Sequence, residues 1–350
     1  MAVIKANAYG HGAPDVARAL HQVGVQHLAV ARVPEALQLR ESGITDAILV
    51  LGAPLVEDLP LYVEHDLGVT ISSPEIAHAV TDLARPERPV HAHVKVDTGM
   101  GRIGVTPEDA PTVIEHLAAA PGIRLAGLWT HFAAAHNPDD PFTRGQFETF
   151  RSVVESVHDR VDVDRLHIAN SSALFLFAES VEAFDPALVR VGLTLYGLGS
   201  RPEMIREAGL RPVMRLLAQV THIKTVEPGT SISYGRRWTA DRTTRIATIG
   251  AGYGDGFPRL LSNRGEVGIG GRRYPVVGTI CMDMFMIDLG PPGTPASDAV
   301  SVGDAVTLMG PGGPSSAELA TWADTIPYEI CCGISARVPR RYVTDANAAP

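Results

Sequence analysis

Short apolar strands alternate with amphipathic helical stretches through the first two hundred residues, and no other feature restricts the fold of this 350-residue chain so much. The strand segments are residues 2–8, 27–33, 47–52, 67–72, 90–97, 124–132, 165–170 and 188–196. The helical stretches between them include residues 13–24, 34–42 and 107–120, often opened by Pro, Ser or Asp and closed by Gly. Continuous apolar strands joined by helices run parallel and are covered on both faces, which makes an α/β sheet. Eight of them favour a closed (β/α)8 TIM-type barrel. No Gly-x-Gly-x-x-Gly follows the first strand to argue for a dinucleotide fold. Because the pattern starts at residue 2, only seven helices lie between the eight strands. The groove between strands eight and one would then expose apolar surface, so the pattern predicts a further helix before Met1, or another element, in that groove.

After Tyr196 the pattern changes. Residues 197–202 read as a linker. Short strands follow at 217–226, 231–234, 245–251, 273–280, 285–289 and 299–309, with one helix at 316–324. The expected organisation is a barrel over residues 1–200 and a mainly β C-terminal domain over residues 210–350. A net charge of −9 without a basic cluster argues against nucleic acid as a partner. No apolar run is long enough to span a bilayer, and the N-terminus has no signal-peptide pattern, so no membrane partner is expected. The three cysteines, Cys281, Cys331 and Cys332, form neither a metal spacing nor a disulfide framework, which suits a reducing cytoplasm.

Chemistry enters through lysine. Lys and Arg total 30, yet only three are lysines: Lys5, Lys95 and Lys224. Arginine carries the ordinary surface charge, so a retained lysine points to what arginine cannot do, which is lose a proton, form an imine or be carbamylated. Lys5 follows apolar Ala2-Val3-Ile4, where desolvation disfavours the ammonium form and frees a nucleophilic amine for Schiff-base chemistry. Lys224 has no glycine-rich loop after it and reads as structural. In a barrel, catalytic groups cluster at the C-terminal ends of the strands. Those ends supply Lys5 and Tyr9, then Lys95 with Arg102, then His131, then His167, Asn170 and Ser171, then Arg190, Gly192 and Leu193. Each alone has an ordinary structural explanation; their gathering on one rim does not. Ser171 and Gly192-Leu193 can offer a hydroxyl and backbone N–H groups to an anion where barrels often hold phosphate. A Schiff-base lysine with a phosphate site describes pyridoxal 5'-phosphate.

The stretch Ala2-Val-Ile-Lys-Ala-Asn-Ala-Tyr-Gly-His-Gly12 resembles the cofactor-attachment signature of the alanine racemase family. The resemblance continues through Lys95-Val-Asp-Thr-Gly-Met-Gly-Arg102, Thr130-His-Phe132, Ala169-Asn-Ser171 and Val189-Arg-Val-Gly192. In the second domain it includes Ser233-Tyr-Gly235, Gly252-Tyr-Gly-Asp-Gly256 and Gly278-Thr-Ile-Cys-Met-Asp283. It implies a barrel plus a β-rich domain, a homodimer with shared active sites, and two-base interconversion of L- and D-alanine for peptidoglycan.

The resemblance also implies roles. Lys5 would hold pyridoxal 5'-phosphate and act as base on one face, with Tyr234 of the partner subunit opposite. His131 would hydrogen-bond that tyrosine. Arg190 would face the pyridine nitrogen with His167 behind it. Tyr9, Ser171, Gly192 and Leu193 would bind phosphate, with Asn170 beside them. Arg102 and the Met282 backbone N–H would take the substrate carboxylate. Lys95 would carry a carbamate (N6-carboxylysine) that holds Arg102 in place, or form a plain ion pair with Asp97 or Asp283. Asp283 and Tyr253 would support the site. Departures from the family pattern fall at Ala336, Thr279 and His136, around the phosphate and the mouth of the site, where Asp255 and Arg259 also lie. Competing readings are a broad-specificity or serine racemase, a non-catalytic pyridoxal-phosphate carrier, and an inactive shortened product.

Overall fold

A computed structural model of the chain describes residues 1–137 and 139–343. Residues 344–350 of the expected C-terminal domain lie outside the described residues. The chain divides into two compact units: Met1–Ala8 with Gly12–Arg211, and Tyr9–His11 with the residues from Pro212 onward.

In the first unit, seven parallel strands follow one another in sequence order: β1 (Ala2–Val3), β2 (His27–Val30), β3 (Ala47–Val50), β4 (Leu67–Ile71), β5 (Val90–Lys95), β6 (Ile123–Trp129) and β7 (Leu166–His167). Residues 187–191 stand where an eighth strand belongs, but they make only single parallel bridges, Leu166↔Ala187, Asn170↔Arg190 and Ala2↔Val191. The Val3 N–H donates to the Val191 carbonyl at 2.8 Å, and the Val191 N–H to the Met1 carbonyl at 2.9 Å, so the ring closes. The predicted strand 188–196 is therefore too long. Past Gly192 the chain coils into a 3-10 turn, Leu193–Tyr196, ended by Gly197 at φ 70°.

The inward and helix-facing sides of these strands are buried at Leu28, Ala29, Val30, Leu49, Val50, Val69, Ile71, Val94 and Leu128. Each large apolar side chain so buried contributes about 1.5–3 kcal/mol. The helices start where the sequence says they can. Pro74–Leu83 has Ser73 as its cap, whose hydroxyl accepts from Ile76, and it buries Ile76, Ala77 and Val80. Pro141–Val157 is capped by Asp140 in the same way.

The first strand is also shorter than predicted. It ends at Val3, and residues 6–9 do not stay extended. Ala6, Asn7, Ala8 and Tyr9 all have φ between 52° and 54°, a left-handed turn made without glycine. Each such residue costs about 1–2 kcal/mol. Local hydrogen bonds offset that strain: the Ala8 N–H donates to the Ile4 carbonyl at 2.8 Å and the Gly12 N–H to the Asn7 carbonyl at 2.9 Å. The Asn7 side chain accepts from the Ala13 N–H at 2.8 Å.

The second unit is a closed antiparallel barrel of six strands. They are β8 (Leu216–Val226), β11 (Thr244–Ile249), β12 (Glu266–Ile269), β13 (Arg272–Val277), β14 (Phe285–Gly290) and β15 (Ala305–Met309), with the hairpin β9 (Ser231–Ile232) and β10 (Trp238–Thr239) beside them. Val226, Ile232, Ala240, Ile246 and Val277 form a buried cluster in this unit. β10 and β12 are strands the sequence reading did not include. β12 is four residues with a glycine inside, Glu-Val-Gly-Ile, and the Gly270-Gly271 turn after it, with φ 56° and 80°, makes the hairpin to β13. The predicted strand 299–309 begins at Ala305, after the short helix Pro295–Asp298. Residues 202–207 of the chain after the first barrel form a short helix rather than continuing an open linker.

Candidate active site

The residues at the C-terminal ends of β1, β5, β6, β7 and the eighth segment converge in the first unit. Lys5 follows β1 by two residues and immediately precedes the left-handed turn. Lys95 closes β5 and is fully buried. Its Nζ donates to the Ile103 carbonyl at 2.7 Å and stands 5.3 Å from the centre of the Trp129 ring. Burial, with Arg190 and Arg102 nearby, lowers the Lys95 ammonium to about 8, although Asp97 opposes the shift. In the second unit, Asp283 pairs with Arg337 at 2.9 Å. The Asp97 carboxylate shapes its own loop, accepting the Gly99 and Gly101 N–H groups at 3.1 Å each.

Arg190 is the best-held charge in the unit. It is buried, and it donates from one terminal nitrogen to the His167 carbonyl at 2.6 Å and to His167 Nδ1 at 3.0 Å. The other terminal nitrogen donates to the Thr130 carbonyl at 2.6 Å, the Ile168 carbonyl at 3.2 Å and His131 Nδ1 at 3.2 Å. Its guanidinium lies 4.8 Å from the Trp129 ring centre, and Trp129 in turn stacks on His167 with 6° between the rings. Among the described residues no carboxylate pairs with Arg190, and none of its hydrogen bonds uses Nε. Burial and Arg102 draw Arg190 down to about 9, so it stays charged at neutral pH. His131 and His167 are held well below the usual histidine range, by burial first and by Arg190 second. Arg102, Lys95 and Lys5 press on His131 in the same direction, so four cations act on one imidazole.

Ser171 is buried, and its Oγ accepts the Gly192 N–H at 3.0 Å. Hydroxyl and amide thus form one polar corner, with Leu193 following. Asn170 serves this corner indirectly: its side-chain oxygen accepts the Ser172 and Ala173 N–H groups, both at 3.0 Å, and caps the turn Ser171–Leu176.

Tyr9, Tyr234, Tyr253, Met282 and Asp283 belong to the second unit. Burial, then Cys332 and Tyr328, pushes the Tyr9 phenol up to about 12. Tyr234 is 73% exposed, and its carbonyl accepts from the Thr279 hydroxyl at 2.8 Å. Tyr253 and Met282 are also exposed; the Tyr253 N–H donates to the Cys281 carbonyl at 3.0 Å and the Gly254 N–H to the Met282 carbonyl at 2.9 Å. Arg337 clamps this loop, donating to Asp255 at 2.8 Å and to the Met282 carbonyl at 3.3 Å.

Glu35, His93, Gly127 and Trp129 also shape the first unit's site, and sequence reasoning passed over all four. Strand alternation could have flagged His93, which shares a face of β5 with Lys95.

This arrangement has close parallels. Residues 1–200 match the alanine racemase N-terminal domain family and residues 213–342 the alanine racemase C-terminal domain family. The alanine racemase of Halothermothrix orenii is 42% identical over 347 residues, 98% of this chain and 89% of that protein. That of Chlorobaculum tepidum is 41% identical over 345 residues, 97% of this chain and 88% of that one. The crystal structure of alanine racemase from D-cycloserine-producing Streptomyces lavendulae superposes with a TM-score of 0.90 at 37% identity, covering 99% of this chain and 90% of that one. With matching models over both units and relatives this similar along nearly its whole length, the chain belongs to the alanine racemase family.

Proposed function

We infer that this chain interconverts L-alanine and D-alanine with pyridoxal 5'-phosphate, using Lys5 and Tyr234 as its two bases. Beyond family membership, the observation that carries the reading is Arg190. Its terminal nitrogens are fully engaged in the protein and its Nε–H is the donor left for a ligand. Such a donor suits an unprotonated ring nitrogen, because a guanidinium has no acceptor to offer. The other donors fit the same cofactor. The Ser171–Gly192–Leu193 corner, with Tyr9, suits a phosphate, and the cations Lys5, Lys95, Arg102 and Arg190 suit a ligand carrying several negative charges.

When bound, pyridoxal phosphate supplies the electron sink that makes the α-proton of an amino acid removable. The chain does the rest. Lys5 anchors the cofactor and holds or takes the proton on one face. Racemisation needs a second group on the opposite face, and Tyr234 of the partner subunit serves there. His131 accepts from Arg190 at Nδ1, so its proton sits on Nε2, where it can donate to a phenolate and stabilise it. Arg190 would donate to the ring nitrogen of the bound cofactor rather than favour its protonation, which would favour return of the proton to Cα. Arg102 and the Met282 N–H take the substrate carboxylate.

A homodimer is supported by the exposed apolar side chains Tyr234, Tyr253, Met282 and Met284, which sit on loops joined by the hydrogen bonds described above. A cytoplasmic setting is supported by three cysteines without disulfides. Among the described residues no helix is long and apolar enough to cross a membrane. The test is D-alanine formation from L-alanine, read by chiral chromatography on the cofactor-loaded protein. Activity abolished by Lys5→Ala is the expected result; no D-alanine from the loaded wild type would overturn the assignment.

A further inference from the structure

The hydrogen bonds of Arg190 do not end at His167. His93, on β5 two residues before Lys95, is 8% exposed, and its Nδ1 lies 3.2 Å from His167 Nε2. The two rings meet edge to face at 81°, with centroids 5.4 Å apart. A gap in the neighbouring strand makes room for this contact. A Cβ at Gly127 on β6 would fall 2.5 Å from His93 Nδ1 and 2.6 Å from His167 Nε2, so only glycine leaves the pair intact.

The proton positions along this chain follow from one fact: a guanidinium donates and never accepts. Arg190 donates to His167 Nδ1, so that nitrogen carries a lone pair. Neutral His167 then has its proton on Nε2, and the partner in reach of that N–H is His93 Nδ1. His93 must accept there and keep its own proton on Nε2. Each alternative placement sets two donors, or two lone pairs, against each other inside the barrel. Both imidazoles are accordingly shifted toward the neutral form, by burial before any other cause.

We propose that His93 is a positioning residue for Arg190: by accepting the Nε2–H of His167 it fixes the tautomer whose Nδ1 receives Arg190, and so sets the direction of the Arg190 Nε. The proposal rests on the cofactor-facing role given to Arg190 above. It predicts a specific pattern of replacements. Asparagine places its amide oxygen where His93 Nδ1 stands and can still accept; phenylalanine keeps the ring and cannot.

The experiment compares wild type, His93→Asn and His93→Phe as cofactor-loaded proteins with ¹⁵N-labelled histidine. Nitrogen chemical shifts read the tautomer of His167 without turnover, and steady-state kinetics are measured alongside. The expected result is an Nε2–H tautomer for His167 in wild type and His93→Asn, and a mixed or Nδ1–H signal in His93→Phe. The phenylalanine variant loses roughly 10–100-fold in kcat, the usual range for an outer-shell partner, at nearly unchanged KM, and the asparagine variant recovers most of it. Wild-type His167 protonated on Nδ1, or Asn and Phe variants alike in tautomer and kcat, would overturn the proposal. Because the tautomer is read without turnover, failure of racemase activity and failure of the His93 assignment are separate results.

Discussion

The carboxylate of Glu35 accepts the backbone N–H of Ala6 at 2.6 Å, one residue past Lys5. Its other oxygen accepts the Ala31 and Arg32 N–H groups at 2.8 and 3.1 Å. One side chain therefore caps the helix Val33–Glu41 and pins the start of the left-handed turn that follows the lysine. Glu35→Gln is the sharpest perturbation, because an amide must turn its NH2 toward at least one of these donors. We expect a stability loss of about 0.5–1.5 kcal/mol, the net value of one hydrogen bond whose donor water can reach, and a kcat loss of up to roughly a hundredfold from misplacement of Lys5. Urea unfolding and steady-state kinetics check both. A variant that is less stable but turns over normally would reduce Glu35 to a capping residue.

Lys95 carries a second prediction. Its ammonium is lowered to about 8, which leaves a usable fraction of neutral amine at neutral pH. That amine can attack carbon dioxide: the C–N bond forms, one proton leaves to solvent, and a carbamate anion replaces a cation beside Arg190 and Arg102. Crystallographic density at Nζ is expected to show the added carboxylate. Lys95→Ala is expected to lose activity by roughly tenfold to a hundredfold, the range of one charged hydrogen bond, with partial rescue by small carboxylates such as acetate. An unmodified amine in crystals grown with bicarbonate would refute the carbamate.

If Tyr234 is the base on one face, its removal cannot affect both substrates equally. Tyr234→Phe is expected to slow α-proton abstraction from one enantiomer by about a hundredfold or more, with a much smaller effect on the other. Deuterium exchange at Cα, followed for each enantiomer separately, measures this. Equal losses would remove Tyr234 from the two-base scheme.

Much of this was legible in the chain, and the exceptions have physical reasons. The strand–helix alternation carried the barrel because period and burial are local properties of sequence. The scarcity of lysine singled out Lys5 and Lys95, which the structure places just past β1 and, buried, at the end of β5. The turn at Ala6–Tyr9 was not legible: nothing in Ala-Asn-Ala-Tyr demands positive φ, and bonds to Ile4 and Glu35 hold it there. β12 escaped because four residues containing a glycine carry almost no strand signal. The second task of Asn170, capping the turn Ser171–Leu176 with its side-chain oxygen, was not legible either, and only the hydrogen bonds to Ser172 and Ala173 reveal it. Strand alternation could flag His93 as an inward residue, but not its pairing with His167, which is 74 residues away.

The buried imidazoles also fix how stability depends on pH. His93 and His167 are buried, His93 is lowered to about 3, and His131 and His167 lie well below the usual range. An unfolded chain protonates each of them below about 6.5, whereas the folded chain does not. Between about 6.5 and the depressed folded values the unfolded state binds more protons, so stability rises with pH and is lost as pH falls. Each fully buried neutral histidine adds up to ~1.4 kcal/mol per pH unit to that slope. Unfolding free energy measured in urea from pH 7.5 to pH 5 is expected to fall steadily, before the carboxylates begin to titrate. His93→Asn is expected to reduce the slope by about one histidine's share. A free energy that stays flat across this interval would mean that the buried imidazoles are charged in the folded protein, and the neutral chain from His93 to Arg190 would be wrong.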